Sequence, residues 1–213
     1  MGKRPKSNID PQLRQLIAQT AARLMSESGM RDFAMAKRKA AQHHGLAHSR
    51  NLPGNEEIEE ALLEYQRLFH GTTQAELLRQ LRQTALKAMT MLEAFHPLLV
   101  GPILNGSADE NTPVYLHLFA ETPEQVMIFL MQQHIPFEPG DRTVHLAKGQ
   151  SRNYPKFCFV AGDTAIELTV FPLDAPRQPP LSPVDGKPMR RAGREQLKAL
   201  VEEADESENR GHL

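Results

Sequence analysis

The spacing of apolar residues changes near Leu98, and that change limits what this 213-residue chain can build. Up to Phe95 apolar positions recur every three or four residues; beyond Leu98 they alternate. A period of 3.6 buries one stripe of a helix, and a period of two buries one face of a strand. The expected fold class is therefore α+β, an all-helical N-terminal module followed by a mixed β-sheet with flanking helices. Three segments are expected: residues 1–71 as the helical module, 72–172 as the α+β domain, and 173–213 as a proline-rich strap, a short helix and a disordered tail.

Asp10-Pro11 is a helix start, with Asp as cap and Pro at the first position. Leu13, Ile17, Ala21, Leu24 and Met25 follow at helical spacing up to Gly29. A second helix is expected from Asp32 to His44. Asn55 caps a third with Ile58, Leu62, Tyr65 and Phe69 on one face, and after Gly71 a fourth is expected from Gln74 to Phe95. Beyond it, Val100–Leu104 and Val114–Phe119 are expected as strands, and Thr122 as the cap of a helix ending near His134. One hairpin is expected around the turn Pro139-Gly140-Asp141 and another around Gly162-Asp163. The proline-dense stretch Pro172–Pro188 is too stiff for helix and is expected to lie extended. A last helix is expected over residues 191–204.

Several function classes are disfavoured. No stretch approaches the roughly 18 apolar residues of a membrane span, so no membrane partner is expected. The basic start lacks the apolar core of a signal peptide. Cys158 is the only cysteine, which rules out an intrachain disulfide and fits a cytoplasmic location. Without tryptophan, and with three tyrosines, the chain offers few platforms for stacking single-stranded bases.

The densest chemistry lies between Leu104 and Glu167. Leu104-Asn105-Gly106-Ser107 precedes the strand Val114-Tyr115-Leu116-His117-Leu118. On that strand Tyr115 and His117 share one face, with Val114, Leu116 and Leu118 on the other. On the last strand Glu167 and Thr169 oppose Ile166, Leu168 and Val170. Two Mg²⁺ ions that activate an attacking oxygen and hold a leaving phosphate need several carboxylates, because Mg²⁺ prefers hard oxygen ligands. A Gly-Ser turn lets backbone amides approach phosphate. Gly106 and Ser107 therefore mark an anion site and Glu167 a third-carboxylate position, while Tyr115 and His117 stand where two metal-binding acids would be expected.

On these residues the segment 74–172 resembles the nucleotidyltransferase superfamily in its minimal, polymerase-β-like form. That resemblance implies Gly106 and Ser107 at phosphate and Mg²⁺ as the cofactor of active members. Phenol and imidazole in place of two carboxylates imply a degenerate site with no catalytic residue and no resident metal. The protein would then bind a nucleotide, a nucleic acid or a protein partner through Gly106, Ser107, Tyr115, His117 and Glu167, with Glu167 orienting His117 or holding a single cation. An alternative is an active nucleotidyltransferase with unusual metal ligands. The whole chain is also similar to bacterial proteins that share Ala36-Lys-Arg-Lys-Ala-Ala41 and Pro179–Gly186, a similarity that implies no activity.

A second alternative is a helix-turn-helix DNA-binding regulator. Up to Arg50 there are ten Lys/Arg against three Asp/Glu. Residues 16–69 resemble the start of tetracycline-repressor-type regulators, through Ala21-Ala22, Glu27-Ser28-Gly29 and Phe33. Lys37, Arg38 and Lys39 would contact phosphates. The following helix carries Glu56, Glu57, Glu59, Glu60 and Glu64, which phosphate repels. Packing helices that dock a protein partner are the simpler reading.

Lesser candidates have plain structural readings. His43, His44 and His48 are expected at a helix end, Cys158 as a structural strand residue, and Asp109 and Glu110 as a solvated turn. Arg177, Lys187, Arg190 and Arg191 on the strap could close over a phosphate, with solvent exposure as the simpler expectation.

Overall fold

The computed structural model describes residues 10–46, 52–175 and 179–210. It is α+β, with N-terminal helices followed by a five-stranded mixed sheet and flanking helices. The chain divides into two compact units, Met1–Gln74 with Pro183–Asp185, and Ala75–Ser182 with Gly186–Leu213.

The first unit is built on short side chains. Helix α1 (Pro11–Ser28) starts where the Asp10 carboxylate accepts the Gln12 N–H and ends at Gly29 in the left-handed region. Helix α2 (Phe33–His43) is capped by Asp32, which accepts from the amides of Ala34 and Met35. Ala18, Ala21 and Ala22 of α1 cluster with Ala36 and Ala40 of α2 around Ile17, Met25, Ile58 and Leu62. Arg14 donates Nε and Nη2 to the Glu57 carboxylate at 2.8 and 2.6 Å, and this pairing holds the Glu57 carboxyl below its usual range.

Helix α3 (Asn55–Met91) is a single 37-residue helix where the sequence suggests two. The segment contains no proline, and a glycine inside a helix costs only about 1 kcal/mol, too little at Gly71 to end it. Residues of both units lie on it.

The sheet belongs to the second unit. Its strands are β1 (Leu98–Val100), β2 (Val114–Phe119), β3 (Glu138–His145), β4 (Ser151–Ala161) and β5 (Thr164–Phe171), in the order β1-β2-β5-β4-β3. Only β2 and β5 run parallel; the other neighbours are antiparallel. Leu116, Leu118, Leu168 and Val170 join Ala85 and Met89 of α3, Leu92 just beyond it, and Val126 and Leu130 of α5 (Pro123–Gln132), in the main core.

Three expectations are corrected here. The strand expected at Val100–Leu104 stops at Val100, because Gly101 takes φ 78 and ψ −153 and Pro102 opens the four-residue helix α4 (Pro102–Asn105). Only glycine visits that backbone region readily, so the bend is written into the sequence. Pro139-Gly140-Asp141 is no turn but part of β3, where the outermost position tolerates a proline. The last helix, α6 (Arg194–Arg210), starts later than expected and extends into the segment expected to be disordered.

Candidate ligand-binding face

The second face of the sheet gathers polar side chains in two register rows. One row runs Val100, Tyr115, Glu167, Cys158, Glu138; the next runs Leu98, His117, Thr169, Lys156, Gly140. The parallel pairing sets Tyr115 opposite Glu167 and His117 opposite Thr169. Tyr115, His117 and Glu167 therefore lie on one face of the sheet, where His117, expected to contact a ligand, is buried.

Glu167 is the electrostatic centre of this face. Its side chain is 15% exposed, and each oxygen has a cationic neighbour: Arg142 donates to Oε1, and Lys156 donates to Oε2 at 3.2 Å. The Arg142 guanidinium also lies 5.0 Å from the centroid of the Tyr115 ring, a cation–π distance. The Cys158 thiol lies 4.0 Å from Oε2; burial, the largest cause, raises its pKa. Glu167 was expected to orient His117 or to hold a cation. Its hydrogen bonds go instead to Arg142 and Lys156, two residues that sequence reasoning missed.

His117 is 4% exposed, and its ring packs 4.7 Å from that of Phe171. Its Nδ1 is buried without a hydrogen-bond partner. Burial foremost, and then the charges of Arg191 and Arg142, push its pKa down to about 3, so the imidazole is neutral at physiological pH. Phe119, Phe171, Tyr154 and Val144 form an apolar cluster beside it.

The proline-rich segment is tied to both outer strands. Leu181 N–H donates to the His145 carbonyl at the end of β3, and Ala192 exchanges two backbone hydrogen bonds with Leu99 in β1. Between these ties the chain turns back on itself, with Leu181 bridged to Pro188. Arg191 is half-buried, close enough for its charge to act on His117, whereas Lys187 and Arg190 are exposed. Arg177 and His48 lie outside the described residues.

Gly106 and Ser107 require a correction. Both amides donate to the Pro102 carbonyl, at 2.8 and 3.0 Å, and Gly106 caps the C-terminal end of α4. A helix C-terminus carries partial negative charge, the wrong polarity for phosphate. The glycine at the strand end is Gly101, where a Cβ would stand 3.4 Å from Tyr115 Cδ2. Glycine there follows a strand, opens a helix and touches the polar face; the Gly101-Pro102 pair was the signal for it.

The carboxylates needed for two Mg²⁺ ions are not assembled. Among the described residues no three His, Cys, Asp or Glu side chains come together as a metal site. Asp109 organises its own loop, accepting from the Asn111 amide and the Thr112 hydroxyl. Phenol, neutral imidazole and one doubly paired carboxylate do not fit Mg²⁺.

In the first unit Lys37 donates to Asn55 Oδ1 at 3.1 Å and is half-buried, so the expected phosphate contact is already engaged. Arg38 and Lys39 are exposed. His44 Nε2 lies 2.8 Å from the Thr20 hydroxyl, which gives that histidine a packing role. A cavity of about 780 Å³ between α3 and the β4–β5 hairpin contains none of Tyr115, His117 or Glu167. Among the described residues no helix is long and apolar enough to cross a membrane. No protein-family model and no curated protein matches the chain, so the functional reading rests on fold and chemistry alone.

Proposed function

We propose that the second unit is a nucleotidyltransferase-like scaffold that binds the phosphates of a nucleotide on its polar sheet face without performing transfer. The observation that carries this reading is the charge arrangement. Arg142 and Lys156 converge on the Glu167 carboxylate beside Tyr115, and both cations stay partly exposed above it. Guanidinium and ammonium groups together suit phosphate oxygens, and the tyrosine ring offers a base or sugar an apolar surface. The order strand, glycine bend, short helix, polar-x-polar strand and parallel acid-bearing strand supports the scaffold assignment. The free thiol of Cys158 accords with a cytoplasmic setting.

Calorimetric titration with ATP in Mg²⁺ and again in EDTA tests this function. Saturable binding of similar strength in both conditions is expected, falling about tenfold or more in Arg142→Ala. Mg²⁺-dependent nucleotide transfer abolished by Glu167→Ala would overturn it.

A further inference from the structure

We infer that Glu167 is a tethered counter-anion that holds the phosphate seat between Arg142 and Lys156, and that a phosphate-bearing ligand binds by drawing both cations away from it. This inference rests on the nucleotide-binding reading and adds its control element.

The exposures give the layering. Glu167 is 15% exposed, against 40% for Arg142 and 30% for Lys156, so the carboxylate lies beneath cations that still reach solvent. Glu167 is held by β5, which has a neighbour on each side and no freedom to withdraw. Arg142 is carried by β3 at the sheet edge, and Lys156 has a four-carbon stem; both can swing while their strands stay fixed. Arg142 stands in register with Tyr154 yet reaches across the face to Glu167 and the Tyr115 ring.

The competition favours a phosphate only when it offers more than the carboxylate it replaces. A di- or triphosphate brings greater charge and more acceptor oxygens, arranged for the guanidinium fork. A monocarboxylate ligand offers no such advantage. The internal acid therefore sets a threshold that admits polyphosphates and rejects simple acids.

The test compares wild type with Glu167→Gln, which keeps shape and acceptor but removes the charge, using inorganic triphosphate as probe in EDTA at low salt. Glu167→Thr, a good strand former beside Thr169, serves if the glutamine variant does not fold. Circular dichroism checks the fold of each. Affinity is expected to rise about tenfold in the folded variant, and acetate is expected to compete measurably only there. Wild-type binding with unchanged or weaker binding by the variant would overturn this inference alone. Failure of both proteins to bind triphosphate would overturn it together with the nucleotide-binding reading.

Discussion

Replacing His117 with phenylalanine is expected to remove much of the protein's acid sensitivity between pH 6.5 and 3. The imidazole is 4% exposed, and burial holds its pKa near 3 against an ordinary value of 6.5. Between those values the unfolded chain binds a proton that the folded protein refuses, so acid pulls the equilibrium towards unfolding. The stability tied to neutral His117 is fully present above pH 6.5 and drains away as pH falls towards 3. A shift of this size corresponds to roughly 4 kcal/mol across the window. Phenylalanine keeps a ring against Phe171, removes the orphaned Nδ1 and should add about 1 kcal/mol at pH 7. Urea unfolding of both proteins at pH 7 and pH 4 provides the measurement. The remaining titratable groups are the same in both, so the difference between their pH slopes isolates this histidine. Parallel slopes would mean that the ring takes up its proton in the folded state.

Leu168→Ala is expected to cost about 3 kcal/mol, the usual range for a leucine removed from a tight core. Leu168 is fully buried on β5, one residue from Glu167 but on the opposite face. Its strand has a neighbour on each side, and its cluster includes Met89, Leu116 and Phe157, leaving little room to collapse into the gap. Val160→Ala on β4 is the control, since that side chain is 67% exposed and its loss should cost less than about 0.5 kcal/mol. Equal midpoints in urea for the two variants would contradict the assignment of faces.

That contrast explains what could be read from sequence. Side-chain direction along a strand follows backbone geometry, so alternation alone put Tyr115 and His117 on one side of their strand and Glu167 opposite the apolar side of another. Strand pairing is not written in alternation. The partners Arg142 and Lys156 stayed hidden because Pro139-Gly140-Asp141 reads locally as a turn, and only the paired β4 shows it to be an edge strand. The burial of His117 was hidden for a related reason. Its ring packs on Phe171, distant in sequence, and the charge that reaches it from Arg191 comes from a proline-rich segment whose ties at His145 and Leu99 carry no local signature. Gly106-Ser107 matched a familiar dipeptide, yet the bend that touches the polar face came from Gly101, whose signal was the proline after it. The two expected helices fused because a lone glycine is a weak breaker when no proline accompanies it.

The central claim is that phosphate binds over Glu167 on the polar sheet face without metal. Amide and side-chain NMR spectra recorded while ATP is added in EDTA test it most directly. Saturating shifts are expected for Tyr115, Lys156, Glu167 and the Arg142 guanidinium, with the core-facing Leu116 and Leu168 side chains little changed. Shifts confined to residues lining the cavity between α3 and the β4–β5 hairpin, or none without Mg²⁺, would contradict it.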